Sequence, residues 1–128
     1  MKKLLTRIIL SAAIASGATS VQAQDIAPAT QPHGYIVATY DITDQAMFDK
    51  YMAAAPLSLL DKYHGKMLVF NMSVKGVEGQ PRSVFGMVEF PSLADAKRFY
   101  YSPEYTAARQ LRIKSTKGNV IFLEGMAK

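Results

Sequence analysis

The stretch Ser83-Val84-Phe85-Gly86-Met87-Val88-Glu89-Phe90-Pro91-Ser92 decides the fold. Its first eight residues are rich in β-branched and aromatic side chains and read as a strand. Pro91 and Ser92 end it, because proline offers no N–H to a ladder. The two parities are Val84, Gly86, Val88, Phe90 and Ser83, Phe85, Met87, Glu89. Neither is a plain solvent face. A sheet with one wet side shows cleaner polar alternation, so a sheet built on this strand needs cover on both faces.

Working outward, Ser92 with Asp95 resembles a capping box that opens a helix through Tyr100. Ser102-Pro103-Glu104 starts the next helix with a capping hydroxyl, a first-turn proline and an acid at the positive dipole end. That helix is expected to reach about Ser115, Gly118 to end the connection, and Asn119–Glu124 to form the last strand. On the other side, Gly76 to Pro81 supplies a turn, preceded by a strand over Lys66–Val74. That strand alternates Leu68, Phe70, Met72, Val74 with Met67, Val69, Asn71, Ser73. Gly65 reads as the left-handed stop of a helix. Asp44 caps that helix, which carries Phe48, Tyr51, Met52, Ala55 and Leu59 on one stripe, and Pro56 should kink or split it. Tyr35–Tyr40 is the first strand. The order β-α-β-β-α-(α)-β is an α+β, ferredoxin-like βαββαβ arrangement with an antiparallel sheet and helices on one face. The cheapest cover for the second face is an identical copy packed sheet against sheet, which predicts a homodimer, a dimeric α/β barrel.

Residues 1–23 read as a signal peptide: Lys2, Lys3 and Arg7, then a short apolar run, then Val21-Gln22-Ala23 before the expected cleavage. Residues 24–33 read as a flexible lead-in and 34–125 as the domain. The expected location is periplasmic or secreted, with no membrane partner once the leader is cut. Cleavage after Ala23 leaves 105 of 128 residues and removes three of the 15 basic ones, so the formal charge falls from +5 to +2. So mild a charge gives no footprint for nucleic acid. The one dense basic cluster, Arg109, Arg112, Lys114 and Lys117, falls near a helix end and reads as a complement to the helix dipole rather than a polyanion site. With no cysteine, the domain must hold itself by burial alone.

From Gly34 to Gly125 the chain resembles the domain of unknown function 1330 family, within the dimeric α/β-barrel superfamily. The residues that carry this are Tyr35, Asp44, Tyr51 and Pro56, the run Tyr63-His64-Gly65-Lys66-Met67-Leu68-Val69, and Val77-Glu78-Gly79. Val88-Glu89-Phe90-Pro91-Ser92 and Tyr100-Tyr101-Ser102-Pro103-Glu104-Tyr105 follow, with Arg112 seven residues on and Leu123-Glu124-Gly125 at the close. The resemblance implies two ferredoxin-like units joined into a barrel around a cavity lined by the sheets, and no settled activity. Where the family pattern has an arginine followed by glycines, Phe70, Asn71 and Met72 stand here. The pocket is therefore expected to be greasier than its relatives'. Most members lack an export leader, so a cytoplasmic role does not carry over.

Glu89 is the leading candidate for chemistry. It shares a parity with Phe85 and Met87, and a carboxylate pointing into a barrel would have its pKa raised by desolvation and serve as acid or base. A strand-end charge paired to a nearby base is the alternative. His64 is a second candidate base, although a histidine before a helix-ending glycine also suits the dipole. Tyr35, Phe70, Phe85, Met87, Glu89 and Tyr101 are the expected ligand-binding set; core packing is the competing account of the apolar ones. His33, in the lead-in, reads as incidental. Two separated histidines without cysteine make no metal site, and no cofactor or nucleophile motif is present. Three functions follow: a binder of a small apolar or aromatic molecule, a cofactor-independent isomerase or oxygenase-like enzyme, and a structural dimer without ligand.

Overall fold

The computed structural model describes residues 30–128; the leader assigned to residues 1–23 lies outside the described residues. Four strands and four helices follow in order: β1 (Gly34–Ile42), α1 (Gln45–Ala54), α2 (Leu57–Lys62), β2 (Lys66–Asn71), β3 (Val84–Phe90), α3 (Leu93–Tyr100), α4 (Pro103–Ser115) and β4 (Thr116–Glu124). The sheet order is β2-β3-β1-β4, and every pairing is antiparallel. This is the α+β, ferredoxin-like arrangement.

Local chemistry sets the helix boundaries. Asp44 accepts the Met47 N–H at 2.9 Å, and Pro56 at the N-cap of α2 divides the stripe into two helices. Ser92 accepts the Asp95 N–H at 3.1 Å and donates its hydroxyl to the Asp95 carboxylate at 2.7 Å. Ser102 accepts from Tyr105, with Pro103 in the first turn. Each cap satisfies N–H groups that a helix start leaves free.

All four helices lie on one face. There β3 buries Val84, Val88 and Phe90, and β1 buries Ile36 and Tyr40, against Phe48, Leu60, Ala96, Phe99, Tyr105 and Ala108. Phe90, Phe99 and Tyr105 form a ring stack with centroids 5.4 and 4.4 Å apart. Burying an aromatic side chain of this kind contributes roughly 1.5–3 kcal/mol. The opposite face, with Val37, Thr39, Phe85, Met87, Ile121 and Leu123, carries no helix. Ile121 is 48% exposed and Leu123 44%.

Three boundaries differ from the sequence expectation. The left-handed residue is His64, with φ +59°, and not Gly65. Gly65 is small for another reason: a Cβ there would stand 2.7 Å from the Phe90 ring. The second strand ends at Asn71 rather than Val74 and carries a bulge. Met67 pairs with Val88 and Val69 with Met87, so Leu68 is extra. Finally, α4 runs straight into β4 at Thr116 without a connection. Gly118 lies within that strand, where a Cβ would come within 2.2 Å of the Thr39 carbonyl oxygen. Among the described residues no helix is long and apolar enough to cross a membrane.

Candidate functional site

Glu89 stands on the helix-free face, directly across from Tyr35 in the β1–β3 register. The Tyr35 hydroxyl donates to Glu89 Oε2 at 3.1 Å, and His33 Nδ1 lies 3.1 Å from the same oxygen. His33 is held in turn by its carbonyl, which accepts the Gly125 N–H at 2.7 Å. The expected desolvation does not govern this carboxyl. Its side chain is 27% exposed, and the His33 hydrogen bond, joined by that of Tyr35, holds its pKa below the usual carboxylate range against a weaker effect of burial. Glu89 is therefore an ionised acceptor that fixes His33 and Tyr35, not a protonated acid. The bond to Glu89 raises the Tyr35 phenol correspondingly. These three residues line a cleft of about 620 Å³ between the segment Thr30–His33 and the segment Gly125–Lys128.

The six residues expected to bind ligand do not form one chamber. Phe85 and Met87 share the helix-free face with Tyr35 and Glu89. Phe70 lies on the other side of the sheet, because the bulge at Leu68 shifts the alternation and sets Phe70 opposite Gly86. Tyr101 is the C-cap of α3, 63% exposed, with its ring 6.2 Å from that of Phe122 at the sheet edge. His64 sits exposed at the turn after α2, away from both groups.

A second, smaller cavity of about 80 Å³, open on one side, lies between the sheet and the helices. Met67, Phe70, Val88 and Phe99 form its apolar wall, while Tyr40, Tyr51, Tyr105 and Arg112 bring polar groups to it. The Tyr51 and Tyr105 hydroxyls, from α1 and α4, are 3.1 Å apart. Burial pushes Tyr40 up to about 12, although the Arg112 charge pulls the other way. Burial, then the neighbouring Tyr105, raises Tyr51 well above the ordinary phenol value. Tyr40 and Tyr51 are therefore neutral at physiological pH.

Arg112 is only 6% exposed, and its buried Nε–H has no acceptor among the described residues. Arg112 lies in the last turn of α4, as the dipole reading expects, but it is buried rather than solvated. It belongs to the buried stripe Tyr105, Ala108, Arg112, Ser115 along α4. Arg109 also has an unpartnered Nε, but its guanidinium lies 4.2 Å from the Tyr100 ring centre, where a cation is well placed. The seven-residue spacing of Tyr105 and Arg112 is the signal that marks Arg112, since it puts both on one helix face. No comparable signal marks His33. Among the described residues, no three His, Cys, Asp or Glu side chains gather as a metal site would require.

The family described as "Domain of unknown function (DUF1330)" matches residues 33–126. No curated protein matches the chain. Among solved structures, the chain is similar to a protein of unknown function from Rhodopseudomonas palustris at 14% identity and a TM-score of 0.60, over 76% of this chain and 84% of that one. It is similar to a NIPSNAP family protein with unknown function from Agrobacterium tumefaciens, with 14% identity, TM-score 0.50, and 74% and 88% covered. A NIPSNAP-like domain protein from Burkholderia xenovorans gives 11%, 0.50, and 76% and 84%. At these identities the likeness is one of fold.

Proposed function

Because the chain belongs to the DUF1330 family, whose description carries no activity, we propose a function from its own cavities: an exported homodimer that binds a small, apolar-bodied molecule. The observation that carries the reading is the cavity between sheet and helices, where Phe70, Met67 and Val88 meet a few convergent polar groups. Apolar walls with few polar groups are the usual makeup of ligand pockets. The ligand therefore sits on the helix side of each sheet, not between the two sheets of a dimer. The helix-free face, with Val37, Val69, Phe85, Met87, Ile121 and Leu123, is the surface a second copy would cover. Export rests on the basic, apolar and small-residue order of residues 1–23.

The test is native mass spectrometry of protein recovered from the exported fraction of cells producing the full chain. The expected species is a dimer of chains beginning at Gln24 that carries a compound. Gly86→Val, whose Cβ would make ordinary van der Waals contact with Phe70 and Ala38 at the cavity wall, should lose that compound and keep the fold. Equal retention by both proteins, or none by either, would overturn the pocket reading.

A second reading, a cofactor-independent isomerase, draws on the outer cleft. Glu89 held against His33 Nδ1 leaves the other ring nitrogen to take a proton. Loss of proton exchange from a bound carbon acid in His33→Gln, with binding kept, is the result this reading requires.

A further inference from the structure

We infer that the cavity between sheet and helices recognises a short monocarboxylate, whose head lies against Arg112 and the Tyr51–Tyr105 pair. This inference rests on the small-molecule reading above and names the ligand class.

The polar groups around the cavity supply donors with little to accept them. A guanidinium has five N–H donors, no acceptor, and a permanent charge. Arg112 is buried, its Nε–H finds no acceptor, and none of the ion pairs among the described residues includes it. Those pairs join His33 to Glu89, Lys62 to Glu104, Arg82 to Asp41 and Arg98 to Asp95. A buried charge without a counterion is costly, and proteins ordinarily pair it. The phenols beside it add to the surplus. One hydrogen bond joins Tyr51 and Tyr105, so one of the two O–H groups remains to be given elsewhere.

The complement is a group that only accepts. A carboxylate offers two coplanar oxygens that match the guanidinium fork. One guanidinium balances one negative charge, which favours a monoanion over a phosphate dianion. Size limits the rest of the ligand. The cavity measures about 80 Å³, well under the 150 Å³ of a cavity that accepts benzene. A chain of a few carbons fits against Phe70 and Val88, with its end toward the opening.

Butyrate, butyramide and butylamine serve as probes of one size and different charge. Each is titrated by calorimetry into the wild-type dimer at pH 7 and fixed ionic strength, with Val88 and Val120 methyl resonances reporting the location. Butyrate should bind at least about tenfold tighter than butyramide, and butylamine not at all. Arg112→Met should abolish the preference. Arg112→Lys, which keeps the charge but not the fork, should retain it with severalfold weaker binding, and it keeps the test open if the Met variant does not fold. Equal binding of butyrate and butyramide to the wild type would overturn the carboxylate inference and leave the small-molecule reading standing. A preference that survives in Arg112→Met would also overturn it, by placing the anion elsewhere. Absence of binding and of methyl shifts with all three probes would overturn both.

Discussion

The hydroxyls of Tyr51 and Tyr105 meet at 3.1 Å, joining α1 and α4 across 54 positions of sequence. The rings approach edge to face with centroids 6.5 Å apart, and Phe48 lies 5.5 Å from Tyr51 on its other side. This bond is the polar link between two helices otherwise held by apolar packing, and it stands at the rim of the Arg112 cavity. A buried hydrogen bond of this kind is worth about 1 kcal/mol. Tyr51→Phe or Tyr105→Phe should each destabilise the protein by about that amount in urea unfolding. The double variant should cost little more than one single change, because both remove the same bond. Strictly additive losses would mean that the two hydroxyls act separately.

His64 and Gly65 have exchanged the roles that their residue types suggest. A non-glycine residue in the left-handed region costs roughly 1–2 kcal/mol, and His64 sits there with φ +59°. His64→Gly should therefore raise stability by up to about 1 kcal/mol, the rest being offset by greater freedom of the unfolded chain. Gly65→Ala should lower it by about 1–3 kcal/mol, since its Cβ would meet the buried Phe90 ring. Thermal melts of the two variants moving in the same direction would refute this assignment.

Two surface carboxylates give the fold a defined acid limb. Arg82, with the Ser83 N–H and hydroxyl, holds Asp41 at about 2 against an ordinary 3.8. Lys62, followed by backbone and Tyr63 hydrogen bonds, holds Glu104 at about 2 against 4.5. The folded values lie below the unfolded ones, so their stabilisation is complete above the unfolded values and is lost as pH falls through the folded ones. The melting temperature should decline between about pH 5 and pH 2. Asp41→Asn should flatten that decline; an unchanged slope would exclude Asp41 from it.

A charge on the helix-free face should separate the proposed subunits. Ile121 is half exposed in the single chain and central in β4. Desolvating a lysine against apolar surface is unfavourable, so Ile121→Lys should sediment as a monomer at concentrations where the wild type is a dimer. Its circular dichroism should be unchanged. Identical sedimentation of the two would place the interface elsewhere.

The topology was legible because it rests on short-range chemistry. Ser92 and Ser102 announce helix starts through side chains that bond three residues ahead, and Pro56 divides a helix wherever it is placed. The neighbouring β3 parities predicted two apolar faces, and the structure has them. What the sequence concealed depends on distant partners. No glycine or proline marks the bulge at Leu68, so the sequence does not show that Phe70 and Phe85 take opposite sides of the sheet. Gly65 resembles a helix stop, but the Phe90 ring that demands its small size comes from another strand. Arg112 looks like any helix-end cation until Tyr40, Tyr51 and Tyr105 close around it. The expected rise of the Glu89 pKa is reversed because His33, which reads from sequence as an incidental part of the lead-in, bonds the carboxylate.

The irregular pairing at Leu68 also bears on how the protein avoids sticking to itself. Strands β2 and β4 are the two margins of the sheet, and a margin with free backbone groups is a template for fibril growth. The extra residue in β2 breaks the even spacing that an incoming strand would need. Strand β4 is a longer, regular margin from Thr116 to Glu124. Aggregation on partial unfolding would accordingly begin along β4, and Asn119→Pro or a second lysine on that border would be the place to block it.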